Sequence, residues 1–164
     1  MKYHNLVEQA ETMITEQAEP ALVDALMNVF SDAFVFYFKA HSFHWNVTGK
    51  DFPQLHKFFG KIYEGVFGNM DKLAEEIRAL NAPAPMNLAT LIANSKIMEN
   101  KDALTAVEMI SALQVDNTKI LAGLLACAKM AEAADEIGLN DFLTQLYDEH
   151  KKLAWMLSST LKVL

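Results

Sequence analysis

HSFHWNVTGKDFPQLH, residues 41–56, sets a polar, glycine-containing turn between two long apolar stretches, with histidines on both sides of it. Upstream, Leu22, Leu26, Val29, Ala33, Phe36, Ala40 and Phe43 recur at steps of three and four, which places them on one face of a helix. Pro20 suits the first turn of that helix, and Asn46 to Gly49 end it. Downstream, Phe52, Leu55, Phe59, Ile62, Val66, Met70, Leu73, Ile77 and Leu80 resume the period, with Asp51 placed to cap and Pro53 in the first turn. NAPAP closes this second helix after about thirty residues, roughly 45 Å. The turn therefore folds one long helix back on another.

The rest of the chain extends the pattern. Residues 81–101 carry Pro83, Pro85 and the short apolar piece NLATLIANS, a long crossover holding one small helix. Residues 102–133 and 138–162 are two further amphipathic helices, marked by Leu104, Val107, Ile110, Leu113, Leu121, Leu124 and Ala128, then by Leu139, Leu143, Leu146, Leu153, Leu157 and Leu161. Residues 4–16 read as a short leading helix. With only six Gly and four Pro beside ten Phe and nine Met, the composition is that of an all-α protein. Four long helices, with the crossover between the second and third, give a ferritin-like four-helix bundle occupying residues 1–164 as one domain.

Charge and cysteine content exclude several classes. A formal net charge of −7 argues against DNA as a partner, because nucleic-acid affinity rests on Lys and Arg neutralising phosphates. The single Cys127 rules out an internal disulfide and reads as buried packing. MKYHNLVEQAETM has neither the apolar run of a signal peptide nor a membrane span, so the expected location is cytoplasmic, with no membrane partner.

The second helix also carries a polar stripe: His56, Gly60, Glu64, Asp71 and Glu75. Imidazole and carboxylate facing one way point to a metal, and ferrous iron suits mixed nitrogen and oxygen ligands with open positions. Each residue taken singly reads as structural: a histidine on a helix is commonly a hydrogen-bonded core residue, and an acidic pair at this spacing a solvated face. Distance adds a constraint. Fifteen residues on a straight helix separate His56 from Asp71 by about 22 Å, so the two cannot hold one ion within one chain. Either they are unrelated or a second chain takes part. Two copies of this helix packed antiparallel about a twofold axis near Tyr63 and Glu64 would bring His56 of one to Asp71 and Glu75 of the other. His44 returns beside His56 through the NVTG turn.

HxxHWNVTGxxFxxLH followed by DxxAEEIRAL, with DEHKKLAWML near the C-terminus, resembles the Dps proteins, the miniferritins, over nearly the whole chain. The resemblance implies a dodecameric shell built from twofold dimers. It also implies ferroxidase centres at the dimer interfaces, with His44 and His56 from one subunit and Asp71 and Glu75 from its mate as metal ligands and catalytic residues. Fe2+ would be oxidised to Fe3+ by hydrogen peroxide or oxygen, with peroxide preferred, and stored inside the shell. Trp45 resembles the tryptophan that lies against the centre in this family; as a bare sequence feature it reads equally as a core aromatic.

One position departs from the family pattern. Gly60 stands where an Asp or Glu is usual, so the second iron position is expected to be weaker and the oxidase impaired; Gly60→Glu is expected to restore a carboxylate. Glu64 is a partial substitute. His41 reads as outside the ligand set, His150 as a satisfied core histidine and His4 as exposed. Asp141 matches an acidic pore position of the family, and Asp148 shares its face; both read as surface charges. DNA-compacting family members commonly use Lys-rich termini, whereas here each terminus carries a single lysine, at Lys2 and Lys162.

Overall fold

The computed structural model describes residues 20–100 and 102–162. The first apolar period folds as α1, Pro20–Asn46, and the second as α2, Phe52–Ala79, joined by the turn at 47–51. A seven-residue helix, α3, Leu88–Asn94, interrupts the crossover before α4, Ala106–Ala133, and α5, Ile137–Leu161. Among the described residues every regular element is a helix. The expected helix at 4–16, with His4, lies outside the described residues.

Side-chain contacts fix the helix directions. His44 meets His56 while Tyr37 meets Phe67, so α1 and α2 are antiparallel. Lys39 pairs with Asp116, and Gly123 lies so close to Val29 that a Cβ there would come within 2.9 Å of its methyl, so α4 also runs against α1. α5 opposes α4 through Asn117–His150 and Asn140–Ala128, and opposes α2 through Asn69–Glu149 and Lys72 over Phe142. Consequently α2 and α4 run parallel, which only a long crossover allows.

Local chemistry sets the helix ends. Thr105 and Glu108 form a capping box, so α4 starts at Ala106 rather than at 102. Asn81 and Asp135 adopt φ of 61° and 57° beyond α2 and α4, a left-handed conformation that Asn and Asp tolerate better than most residues. Asp51, expected to cap α2, makes no side-chain cap hydrogen bond; at φ −98°, ψ 14° it lacks the extended geometry of a cap, and its carboxylate lies 3.9 Å from Lys50.

All seven expected apolar positions of α1 are buried, as are those of α2 except Phe52. On α4 the buried face instead runs through Met109, Ile110, Leu113, Asp116, Asn117, Ile120, Leu124, Cys127 and Ala131, leaving Val107 exposed. The two polar residues on that face hid it from apolar periodicity. By length and composition α1 is apolar enough to cross a membrane, but its apolar face forms the bundle core, with Leu26, Phe36 and Ala40 at 0% exposure.

The buried charged side chains are ion-paired or hydrogen-bonded. Asp116, 4% exposed, accepts from Lys39, 7% exposed, and from the half-exposed Lys119 at 3.1 Å. Asp32 accepts from the Lys96 backbone N–H at 2.6 Å and from Ser95 Oγ at 2.9 Å, fastening the crossover to α1. Asp116→Ala leaves the Lys39 ammonium buried without its partner and should destabilise the fold by about 3–5 kcal/mol. Lys119→Met removes a half-exposed cation, with its 3.2 Å contact to Lys96 O, and should cost about 0–1 kcal/mol. Denaturant unfolding of the two variants checks the difference.

Candidate metal centre

The 47–51 turn is closed by backbone geometry. Val47 N–H donates to Phe43 O at 2.9 Å, Phe52 N–H donates to Gly49 O at 3.2 Å, and Gly49 takes φ 110°, which side chains resist. Val47 is buried and anchors the loop to the core. The result sets the His44 and His56 rings face to face, centroids 3.7 Å apart and planes 22° from parallel.

Each ring bonds the other residue's backbone. His44 Nδ1 lies 2.7 Å from His56 O, and His56 Nδ1 lies 2.8 Å from His44 O. A carbonyl oxygen only accepts, so both Nδ1 atoms carry a proton, and in the neutral rings both Nε2 atoms present lone pairs. Metal-ligating imidazoles use this arrangement, because a carbonyl on the far nitrogen fixes ring orientation and raises basicity. The pairing also serves the fold: His44 O is among the last four carbonyls of α1, which have no helical donor.

Gly60 lies against the pairing in a way that spacing does not reveal. It is buried beneath the His44 ring, and a Cβ there would lie 3.3 Å from Nδ1 and 3.4 Å from Cε1. The position read from sequence as a missing carboxylate is therefore also one where an added Cβ would press on the His44 ring by a few tenths of an ångström. A glutamate at 60 brings its carboxylate together with a crowded Cβ.

The acidic half of the stripe lies elsewhere. Asp71 and Glu75 are exposed on α2, four to five turns beyond His56. Among the described residues no group of three or more His, Cys, Asp or Glu converges within the chain. The structure brings two of the four expected ligands together and leaves the other two apart.

An aromatic patch borders the histidine pair. His41 stacks on Tyr63 at 3.9 Å and lies 4.0 Å from Trp45, while Tyr37 contacts Tyr63 and Phe67. Trp45 and Phe67 are 57% and 60% exposed, so Trp45 is no core aromatic in this chain. Partial desolvation and the neighbouring Glu64 carboxylate push the Tyr63 phenol up. His150 and Cys127 are buried, as expected, and burial raises the Cys127 thiol to about 11. Asp141 and Asp148 are exposed; Asp141 accepts from Gln145, and Asp148 lies 3.8 Å from Lys151.

Comparison with known proteins agrees with this architecture. Residues 23–164 match the ferritin-like domain, and the chain belongs to that family. A relative in Brevibacillus brevis, named DNA protection during starvation protein, is 31% identical over 78% of this chain and 86% of its own length. The Dps protein of Vibrio cholerae, described as a member of a broad superfamily of ferritin-like diiron-carboxylate proteins, superposes with TM-score 0.84 at 25% identity, covering 90% of this chain and 98% of that one. The Dps crystal structure from Bacillus brevis gives 0.81 at 31% identity, covering 86% and 95%. Within the ferritin-like family, this chain is a Dps miniferritin.

Two substitutions separate the roles of Gly60. Gly60→Ala adds only the crowding Cβ and, by tilting His44 from its rotamer, should weaken ferrous binding by up to about tenfold. Gly60→Glu adds the carboxylate as well and should bind more tightly than the Ala variant, as read by anaerobic ferrous titration.

Proposed function

We propose that this protein binds ferrous iron at centres completed between two subunits, oxidises it, and stores the ferric product inside a dodecameric shell. The observation that carries this reading is the reciprocal pairing of His44 and His56. It supports two oriented Nε2 atoms, turned away from the carbonyl-bound Nδ1, beside an exposed aromatic patch, on the surface where a second copy would supply Asp71 and Glu75. The chemistry suits those groups. Neutral imidazoles and ionised carboxylates bind Fe2+ without thiolate, and the carboxylates favour the ferric product. With hydrogen peroxide, two ferrous ions each give one electron; the O–O bond takes both, and with two protons the oxygens leave as two waters. Peroxide and free ferrous iron are consumed together, which protects against oxidative damage. A cytoplasmic location follows for such an activity.

Gly60 favours a second reading, a shell that assembles and stores iron with an impaired oxidase, because one carboxylate of the family pattern is absent. Iron taken up anaerobically but oxidised no faster than free iron would select that reading.

A dimer axis near Tyr63 and Glu64 predicts a particle of dodecamer size in sedimentation; a stable 18.4 kDa monomer at micromolar concentration contradicts it. His56→Ala and Asp71→Ala each remove a ligand from every centre and should each abolish most iron oxidation while leaving the particle intact. A mixed particle made from the two variants places both lesions at one centre and restores all four ligands at its twofold mate, so a fraction of activity should return. Mixed dimers with no activity above the parent variants contradict shared centres.

A formal charge of −7 on each subunit disfavours DNA. At about 0.15 M salt and neutral pH, a gel shift should show no retardation. Tight, salt-sensitive binding would contradict this.

A further inference from the structure

Away from the histidine pair, α2 and α5 line a cavity of about 350 Å³. Ile62, Gly65, Val66 and Asn69 face it, and at 3.6 residues per turn they lie on the side of α2 opposite His56, Gly60 and Asp71. Phe58, Leu153 and Met156 extend an apolar wall, and the exposed Lys61 and Lys152 stand at its edge. The other charged lining residue, Glu149, is engaged by Asn69 Nδ2 at 2.9 Å.

One buried polar side chain interrupts that wall. His150 is 5% exposed, and its Nδ1 lies 2.6 Å from Asn117 Oδ1. Asn117 Nδ2 donates to His150 O at 2.9 Å, so the amide oxygen must be the group facing the ring, and Nδ1 carries the proton. Nε2 is left as a bare acceptor. Among the described residues no donor bonds it, yet every fully enclosed side-chain nitrogen and oxygen has a partner, so Nε2 is not sealed, and His150 lines this cavity. Burial holds this imidazole down to about 4, neutral at physiological pH.

The occupant follows from this chemistry. A lone imidazole with no second ligand is no metal site. An acceptor in an apolar wall takes a hydrogen-bond donor on an apolar body, and two cations at the edge take an anion. A dry cavity of about 150 Å³ already holds benzene, so one substituted ring fits here, packing on the Phe58 ring and the Met156 thioether. A phenol donates more strongly than an alcohol. We propose that the cavity binds a phenolic carboxylate, its hydroxyl donating to His150 Nε2, its ring between α2 and α5, and its carboxylate at Lys61 and Lys152.

The probe is 4-hydroxybenzoate, whose hydroxyl and carboxylate are too far apart to chelate iron, titrated calorimetrically into the iron-free assembled protein at pH 7. Saturable binding with Kd below about 1 mM is expected. Benzoate, lacking the donor, should bind about tenfold more weakly. Octanoate should bind no better than benzoate. His150→Phe should reduce 4-hydroxybenzoate to the benzoate level and leave benzoate unchanged. Gly65→Leu should abolish both, and its Cβ meets nothing within 4 Å, so the helix accommodates it. The proposal is overturned by absence of saturation, by equal affinity for 4-hydroxybenzoate and benzoate, by tighter binding of octanoate, or by unchanged binding in Gly65→Leu. The three wild-type titrations decide it even where a variant fails to fold.

Discussion

A straight helix holds its residues at fixed separations, and α2 sets His56 and Asp71 about 22 Å apart along its axis. No rearrangement inside one bundle closes that distance, because α2 is anchored along its length by Leu55, Phe59, Ile62, Val66, Met70, Leu73 and Ile77, all buried. If these residues act on one metal ion, the functional unit is a pair of chains. The same rigidity then becomes useful, since an antiparallel copy of the helix carries the carboxylates to the histidines and produces two equivalent centres with one contact surface. The exposed Trp45, next to His44, and Phe67, further along the same aromatic patch, provide apolar area for such a contact.

Within one chain, the two imidazoles that the proposed centre needs are already held together. The turn at 47–51 sets the rings together, the reciprocal carbonyl bonds select the tautomer, and His44 packs over Gly60, where an added Cβ would press on its ring. Ligands held in this way lose little freedom on binding, which favours capture of a labile ion. If the centre binds iron, Gly60 has two opposed effects, one carboxylate fewer for the metal and one Cβ contact fewer on His44.

Much of this was legible in the residues. The three- and four-residue steps located the long helices because each buries one continuous apolar face, and the prolines and short apolar run located the crossover helix. The α4 face was read partly wrongly because Asp116 and Asn117 occupy core positions, made tolerable by Lys39 and His150 on neighbouring helices. Asp51 looked like a cap by type and place, but its backbone is not extended there. At the centre, sequence placed His44 and His56 together and separated the carboxylates by simple rise. It did not reveal the crossed Nδ1 bonds or the ring above Gly60, because both depend on where a side chain meets the backbone of another helix. His150 read as a satisfied core histidine; only its cavity shows that one nitrogen is satisfied and the other is not.

The central claim is that one centre draws its ligands from two chains. Crystals of the assembled protein soaked in ferrous iron without oxygen, with diffraction recorded on both sides of the iron absorption edge, test it directly. Anomalous density within bonding distance of His44 and His56 Nε2 and of Asp71 and Glu75 of the partner subunit is the predicted result. Iron bound elsewhere, or a histidine pair left empty at saturating ferrous iron, would contradict it.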